Sequence, residues 1–317
     1  MSATLTIATT CKPFRREVAR IQRNALASWL RLSPRPEVLV FGDEYGVAET
    51  CTALGARHLP RVERSDAGTP IVSGLMEAAE RVARGDVVAL VNADILLTSG
   101  LYAAVAAVRE RCDRWLMISR RWNLDFPGFY DPTLSASEGE LLSRARREGV
   151  LEPRFGGVDV FVFPRGTWNE GPLPPFAIGR GRWDSAILYE ARRRGLPVID
   201  ATDVASNVHQ SHDYSHHPHA AEGVFKGPEA LRNEALLGGD AFIFSALDAT
   251  HVLDARGLRR NIVWHPVLAL RAWATLSALH PALRPPRPVV GLAAQVWRRA
   301  RRARNRMRRV VGTSAQL

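Results

Sequence analysis

Cysteine is scarce in this 317-residue chain: Cys11, Cys51 and Cys112 are an odd number and lack metal-ligand spacing. That argues against a disulfide framework and points to a reducing compartment. No run of about 18 uninterrupted apolar residues occurs, so nothing reads as a transmembrane helix. The opening "MSATLTIATTCKPF" has no positively charged region followed by an apolar stretch, so no secretory signal is read and a cytoplasmic location is expected. Internal repeats are missing as well, and so is a helical His-Glu-x-x-His arrangement, which leaves a hydrolytic zinc site without its usual signature.

Acid is absent from one stretch. Residues 284–317 hold ten arginines and neither aspartate nor glutamate, which leaves 33 basic against 32 acidic residues for the rest of the chain. The net charge of +11 therefore belongs to the tail, and the body is nearly neutral. Such a balance speaks against a general nucleic-acid binder and for an anionic surface partner at one end of the molecule. With 46% hydrophobic and 24% charged residues, the chain is an ordinary globular one, long enough for one large domain or two smaller ones.

Strand and helix patterns alternate along the first two thirds. "TLTIATT" (4–10), "EVLVFGD" (37–43), "RHLP" (57–60), "DVVALVNAD" (86–94), residues 115–119, "GVDVFVFPRG" (157–166) and "LPVIDAT" (196–202) read as strands. Between them, helices are predicted from Pro13 through Leu32, over 70–84, 100–112 and 136–148, and over 182–195 with Gly195 as the stop. This alternation predicts an α/β/α sandwich of Rossmann type with a mostly parallel central sheet. The expected organisation is a core at 1–205, a His-rich loop and extension at 206–257, and a C-terminal helical region at 258–317. Within the last region, Val289, Ala293, Val296, Ala300, Ala303, Met307 and Val310 recur at steps of four and three among arginines. That is the pattern of a basic amphipathic helix suited to an anionic membrane surface.

The stretch "ALVNADILLTSG" (89–100) carries the most chemistry, because an apolar strand ends in Asp94 and another apolar run follows at once. In open α/β sheets, ligands bind outside the carboxyl ends of the strands. A carboxylate there can hold a divalent cation, with Asn92 two residues earlier on the same side of the strand. The simpler reading is a turn or a helix cap. Asp184 in "GRGRWD" is either a helix-start residue stabilised by the macrodipole or a general base, with Trp183 beside it as a stacking face. "VHQSHDYSHHPH" (208–219) holds five of the nine histidines, as a metal site or a solvated loop. Asp159 interrupts an apolar strand and needs a partner, either an arginine or a ligand in a cleft.

Taken together, residues 4–215 resemble nucleotide-diphospho-sugar transferases of the GT-A fold, in which "VNADILL" is similar to the acidic DxD-type motif with asparagine in the first position. The segments "FAIGR…WD" and "HQSHDYSH" are similar to bacterial glycosyltransferase-like sequences. The resemblance implies Mn²⁺ or Mg²⁺ held by Asp94 with His209 or His212, His209 being favoured because it lies nearer the strand end. It further implies a donor pocket with Thr9, Thr10, Asp43, Asp66, Gly68 and Asn92, an acceptor side with Asp159 and Trp183, and Asp184 as base. The implied activity is transfer of a sugar from a nucleotide-diphosphate donor to a lipid-linked or polysaccharide acceptor. A sugar-nucleotide pyrophosphorylase is the first alternative, though "TTCKPFRR" has no glycine where its triphosphate loop needs one. A non-catalytic nucleotide-sugar-binding protein, favoured by Asn92, is the second.

Overall fold

The computed structural model describes residues 4–131, 137–169, 171, 173–212, 220–262, 273, 275–280 and 282. Two compact units divide the chain, residues 1–264 and 265–317.

In the first unit the elements are, in chain order, β1 (Leu5–Thr10), α1 (Arg16–Leu30), β2 (Glu37–Phe41), α2 (Val47–Leu54), β3 (Arg57–Leu59), α3 (Val72–Val82), β4 (Val87–Val91), β5 (Ile95–Leu96), α4 (Gly100–Arg109), β6 (Leu116–Ser119), β7 (Arg121–Leu124), α5 (Ser137–Glu148), β8 (Val150–Leu151), β9 (Val160–Pro164), α6 (Trp183–Arg193), β10 (Val198–Asp200), β11 (Asn207–Gln210), α7 (Ala220–Lys226), α8 (Pro228–Leu237), β12 (His251–Asp254) and β13 (Gly257–Arg260). Nine strands form one sheet in the order β13-β12-β10-β6-β9-β4-β1-β2-β3. Pairing is parallel throughout except at β9, which runs against both β4 and β6, and at the β12–β13 hairpin. The expected α/β architecture with a mostly parallel sheet is the one found.

Every residue of β4 is buried, as a central strand covered on both faces requires. One core joins Ile7, Val40, Ala89 and Val91 to Ala25, Leu26 and Trp29 of α1 and to Leu101 and Val105 of α4. A large apolar side chain fully removed from water contributes about 1.5–3 kcal/mol, so the α1 stripe alone fixes that helix on the sheet.

The two apolar runs around Asp94 belong to different sheets. After Val91 the chain turns: the Asn92 N–H donates to the Asp159 carbonyl (3.1 Å) and the Ile95 N–H to the Asn92 carbonyl (3.1 Å). Ile95–Leu96 then enters a four-stranded sheet ordered β5-β11-β7-β8. The strand expected over 86–94 thus ends at Val91, and Asn92 to Asp94 form the corner between the sheets.

The described residues of 206–257 hold more regular structure than their composition predicts. They supply β11 to the small sheet, the helices α7 and α8, and β12, which extends the large sheet beside β10. Strands this short carry too little alternation to stand out from loop sequence. In the second unit, residues 273 and 275–279 are helical, inside the helical region expected at 258–317. The basic amphipathic segment 289–311 lies outside the described residues. Among the described residues, no helix is long and apolar enough to cross a membrane.

Candidate active site and metal centre

Asp94 meets two histidines at the corner between the sheets. Its Oδ2 lies 3.3 Å from His212 Nε2 and 3.7 Å from His209 Nε2, and one ligand atom from each of the three residues lies within 4.8 Å of the others. Two ligands each about 2.1 Å from a shared ion stand roughly 3.0–3.4 Å apart at octahedral or tetrahedral angles, so the spacing suits one cation. Asp94 Oδ1 and His209 Nδ1 are buried and find no hydrogen-bond partner among the described residues. The other three histidines of the cluster, His216, His217 and His219, lie outside the described residues.

Backbone pairing produces this meeting. In the β5–β11 ladder His209 is opposite Ile95, and the Gln210 N–H donates to the Asp94 carbonyl (3.1 Å). The Gln210 side chain donates to the Ile21 carbonyl (2.9 Å) and accepts from Asn24 Nδ2 (2.8 Å), while Trp29 Nε1 donates to the Ile95 carbonyl (2.8 Å). Helix α1 therefore fixes β5, which follows Asp94, and β11, which carries His209, through buried polar residues as well as its apolar stripe.

The Asp94 side chain is 21% accessible, packed on most sides yet reached by solvent. Its carboxyl pKa is well below the usual range: burial alone would raise it, but His209, hydrogen bonds from both histidines and Lys12 outweigh that effect. Lys12 is placed by Gln22, which accepts from the Lys12 N–H (2.6 Å) and donates to its carbonyl (2.9 Å). Although Lys12 is open to solvent, crowding by protein atoms and the nearby Arg180 lower its pKa, against the pull of Asp94. Arg121 lies on another side. Burial would lower its pKa, and Asp159, Asp94 and Glu152 more than offset that.

Because β9 is antiparallel, its first residues lie beside the carboxyl end of β4, where Val91 pairs with Val160. This brings Asp159 to Asn92: Asn92 Nδ2 donates to Asp159 Oδ1 (2.6 Å), and Arg121 pairs with the other oxygen. Asp159 thus has the arginine partner that its burial called for. Asp184 adjoins it, with Oδ2 accepting from the Val158 N–H (3.2 Å). The Asp184 pKa is raised, first by burial and then by Asp159, against hydrogen bonds from the backbone of Ser185 and Val158. Arg182, just before α6, has φ of 78°, a left-handed conformation rare outside glycine that sets the first turn carrying Asp184.

Two expectations need correction. Trp183 does not offer a stacking face: it is 6% accessible and packs edge-to-face on Phe161 at 5.6 Å. The alternation along β1 turns Thr9 into the interior at 1% exposure, so its side chain cannot line an open pocket, while Thr10 is half-buried. Asp43 is 73% exposed and pairs with Arg64 (3.0 Å), whose other nitrogen donates to the Gly68 carbonyl (3.0 Å). Gly68 has φ of +82° and closes a turn onto Ser65 (2.8 Å), and Asp66 is exposed within that turn. Glu44, beside Asp43, is more confined: Arg64 holds it at 2.8 Å, and its Oε2 is buried without a partner among the described residues.

Sequence reasoning missed Lys12, Arg121, Arg180 and Glu44, and it missed α8 as a brace. Glu229 on α8 accepts from Ser65 (2.5 Å), Thr69 (2.7 Å) and Arg180 (3.0 Å). One turn on, Asn233 bonds both backbone groups of Ala177 and the Gly181 carbonyl. A single helix thus secures the turn at 65–69 and the glycine loop before Asp184. The spacing of Glu229 and Asn233, four apart on one helix face, is the signal that was available.

No protein-family model and no curated protein sequence matches the chain. Solved structures do. A mycobacterial protein is 18% identical, with 76% of this chain and 75% of that one covered at a TM-score of 0.46. Glucosyl-3-phosphoglycerate synthase from Mycobacterium tuberculosis, with Mn²⁺, UDP-glucose and phosphoglyceric acid, is 16% identical, covering 74% and 78% at 0.43. A mannosyltransferase from Pyrobaculum calidifontis, with GDP-mannose and Mn²⁺, is 15% identical, covering 95% and 81% at 0.45. Likeness this distant leaves the reading of function to the chain's own geometry.

Proposed function

We propose that the protein transfers a glycosyl group from a nucleoside-diphosphate sugar to a hydroxyl acceptor, with a divalent cation held by Asp94, His209 and His212. The observation that carries this reading is the Asp94–His209–His212 cluster at the carboxyl edge of the sheet with Lys12, Arg121 and Arg180 close by. One carboxylate and two imidazoles form a mixed donor set that suits Mn²⁺ better than Mg²⁺, which prefers oxygen ligands throughout. The nearby cations favour a polyanionic ligand over the small neutral substrates of a hydrolytic zinc site.

The bound cation would neutralise charge on the departing diphosphate. Lys12 and Arg180 would hold the diphosphate oxygens. Glu44 and Asp43, with Thr10 and the turn containing Asp66 and Gly68, form the wall suited to the nucleoside. Asp184, whose raised pKa makes its carboxylate a stronger base, would take the proton from the acceptor hydroxyl. Asn92 and Arg121 act through Asp159 and fix the floor between metal and base. The basic tail would add attachment to an anionic membrane surface on the cytoplasmic side, where a lipid-linked acceptor would be presented.

A non-catalytic nucleotide-sugar binder is the second reading, and the observation in its favour is that the Asn92 amide is spent on Asp159. The deciding experiment is thermal unfolding against UDP, GDP, ADP and dTDP with Mn²⁺, Mg²⁺ or chelator, followed by release of sugar from the matching donor. At least one nucleotide should raise the melting temperature only when Mn²⁺ is present. Stabilisation by metal with no response to any nucleotide overturns the proposal, and nucleotide binding without sugar release favours the binder.

A further inference from the structure

A hollow lies on the same edge of the sheet. Its volume is about 280 Å³, and its lining includes Arg120, Arg154, Asp200, Asp254, Arg259 and Ile262. Asp200 closes β10 and Asp254 closes β12, and both strands run parallel to β6. Since β9 opposes β4 and β6 alike, β4, β6, β10 and β12 all present their carboxyl ends to one side. Along that side the order is Asp94 after β4, Asp159 with Asp184 at the start of β9, Arg120 and Arg121 after β6, and then the hollow. Strands are spaced by about 4.8 Å, so the hollow, at β10 and β12, lies three to four strands or roughly 14–19 Å along the edge from β4, with the β9 end that adjoins Asp184 between them.

The lining selects a class of ligand. Its charged side chains are Arg120, Arg154 and Arg259 against Asp200, Asp203 and Asp254, a net charge of zero. A phosphate or other polyanion gains no net attraction there. What the wall offers is donors and acceptors side by side. Asp200 is 5% exposed and spends Oδ1 on Thr202, with its Oδ2 3.7 Å from Arg120 Nε and 3.6 Å from Arg154, beyond ordinary hydrogen-bond reach. Elsewhere Arg120 donates to the Glu152 carbonyl (2.9 Å) and Arg154 to the Ala246 carbonyl (3.4 Å), while Arg259 holds Asp254 through two nitrogens (3.1 and 2.6 Å), so each guanidinium keeps one terminal nitrogen outside these bonds. Vicinal hydroxyls, each able to donate to a carboxylate and accept from a guanidinium, match such a wall. Val252 and Ile262 add apolar surface for a C–H face, and Ile262 is 65% exposed. The volume lies near the lower end for small-molecule sites, about 300–1,000 Å³, enough for one sugar ring.

We infer that this hollow is a saccharide-binding site, separate from the metal centre, that takes an uncharged sugar ring through Arg154, Arg259, Asp200 and Asp254. Its role as the acceptor's subsite rests on the glycosyl-transfer reading; sugar binding itself does not. The site accounts for the order along the edge, with the donor at the metal, the base in the middle and the acceptor chain anchored beyond it.

The test is saturation-transfer NMR on the full chain with the methyl glycosides of glucose, mannose and galactose and with maltotriose, in chelator, beside inorganic phosphate. At least one saccharide should show transfer without metal, and Arg259→Met and Arg154→Met should each weaken it about tenfold, as loss of a hydrogen bond from a charged group predicts. Unfolding temperatures close to wild type would show that both variants fold. No transfer to any saccharide, equal transfer in both variants, or arginine-dependent binding of phosphate alone overturns the inference. If saccharide binds while every nucleotide fails with Mn²⁺, the transfer reading falls and the hollow stands; the converse sinks the hollow only.

Discussion

Asp94→Asn separates a metal ligand from a turn residue, because the amide keeps the side-chain shape and loses the charge. Mn²⁺ at one hundred times its dissociation constant stabilises the native state by about 2.7 kcal/mol. For a domain of this size that corresponds to roughly 5–10 °C in melting temperature. The cluster supplies three protein ligands, and loss of a mere supporting contact around a metal already costs about 10–100-fold in affinity. A hundredfold loss brings the same Mn²⁺ concentration to about its dissociation constant, where stabilisation falls to about 0.4 kcal/mol, near 1 °C. The assay is scanning fluorimetry over a Mn²⁺ titration, each protein referred to its own baseline in chelator. That baseline matters, because Asp94 also attracts His209 and Lys12 without metal. Since its folded pKa is depressed, this attraction is present above the unfolded value and is lost as pH falls through the folded one. If Asp94→Asn keeps more than half of the wild-type Mn²⁺ increment, the carboxylate does not bind the ion.

Asp184→Asn should preserve the Mn²⁺–nucleotide response and lower sugar transfer by about 10²–10⁴, the usual share of a general base; transfer within about tenfold of wild type would place the base elsewhere. The same variant has a pH signature: the raised pKa means that the acid form favours folding below the unfolded value, a contribution lost as pH rises through the folded pKa. Asp184→Asn should therefore gain melting temperature relative to wild type at neutral pH, with the gain shrinking on acidification, and a pH-independent difference would contradict the burial argument. Deleting residues 284–317 should abolish salt-sensitive binding to anionic vesicles, to which surface arginines contribute about 1 kcal/mol each, while nucleotide binding persists. Vesicle binding that survives the deletion, or tight binding to nucleic acid instead of lipid, would refute the membrane role of the tail.

The elements legible in the sequence were those with enough residues to show a period. Trp29, Ala25 and Ile21 on α1 and the unbroken apolar run of β4 gave the helix, the central strand and hence the α/β class. The direction of β9 was not legible, because a buried strand looks alike whichever way it runs, and direction alone delivers Asp159 to the site. Nor was the small sheet: β5 has two residues and β11 has four, too few for alternation, although together they bring His209 to Asp94. The polar side of α1 was also hidden. Gln22 and Asn24 are buried among the apolar positions, where sequence alone does not separate a solvated residue from one that fixes a loop.

Asn92 shows how a departure from the acidic pattern fits this site. Its Nδ2 donates to Asp159, whose other oxygen pairs with Arg121, and its backbone N–H donates to the Asp159 carbonyl. An aspartate at position 92 has no donor to give, and it would set a second carboxylate against Asp159 at hydrogen-bond distance, with Asp184 close by. Like charges so near one another cannot all stay ionised without a cation among them. The cluster instead sets a single carboxylate, Asp94, beside the two imidazoles of His209 and His212, which would be neutral on ligating a cation. The amide then secures Asp159, which a second acid would have disturbed, so the asparagine is also compatible with the metal-dependent reading proposed above.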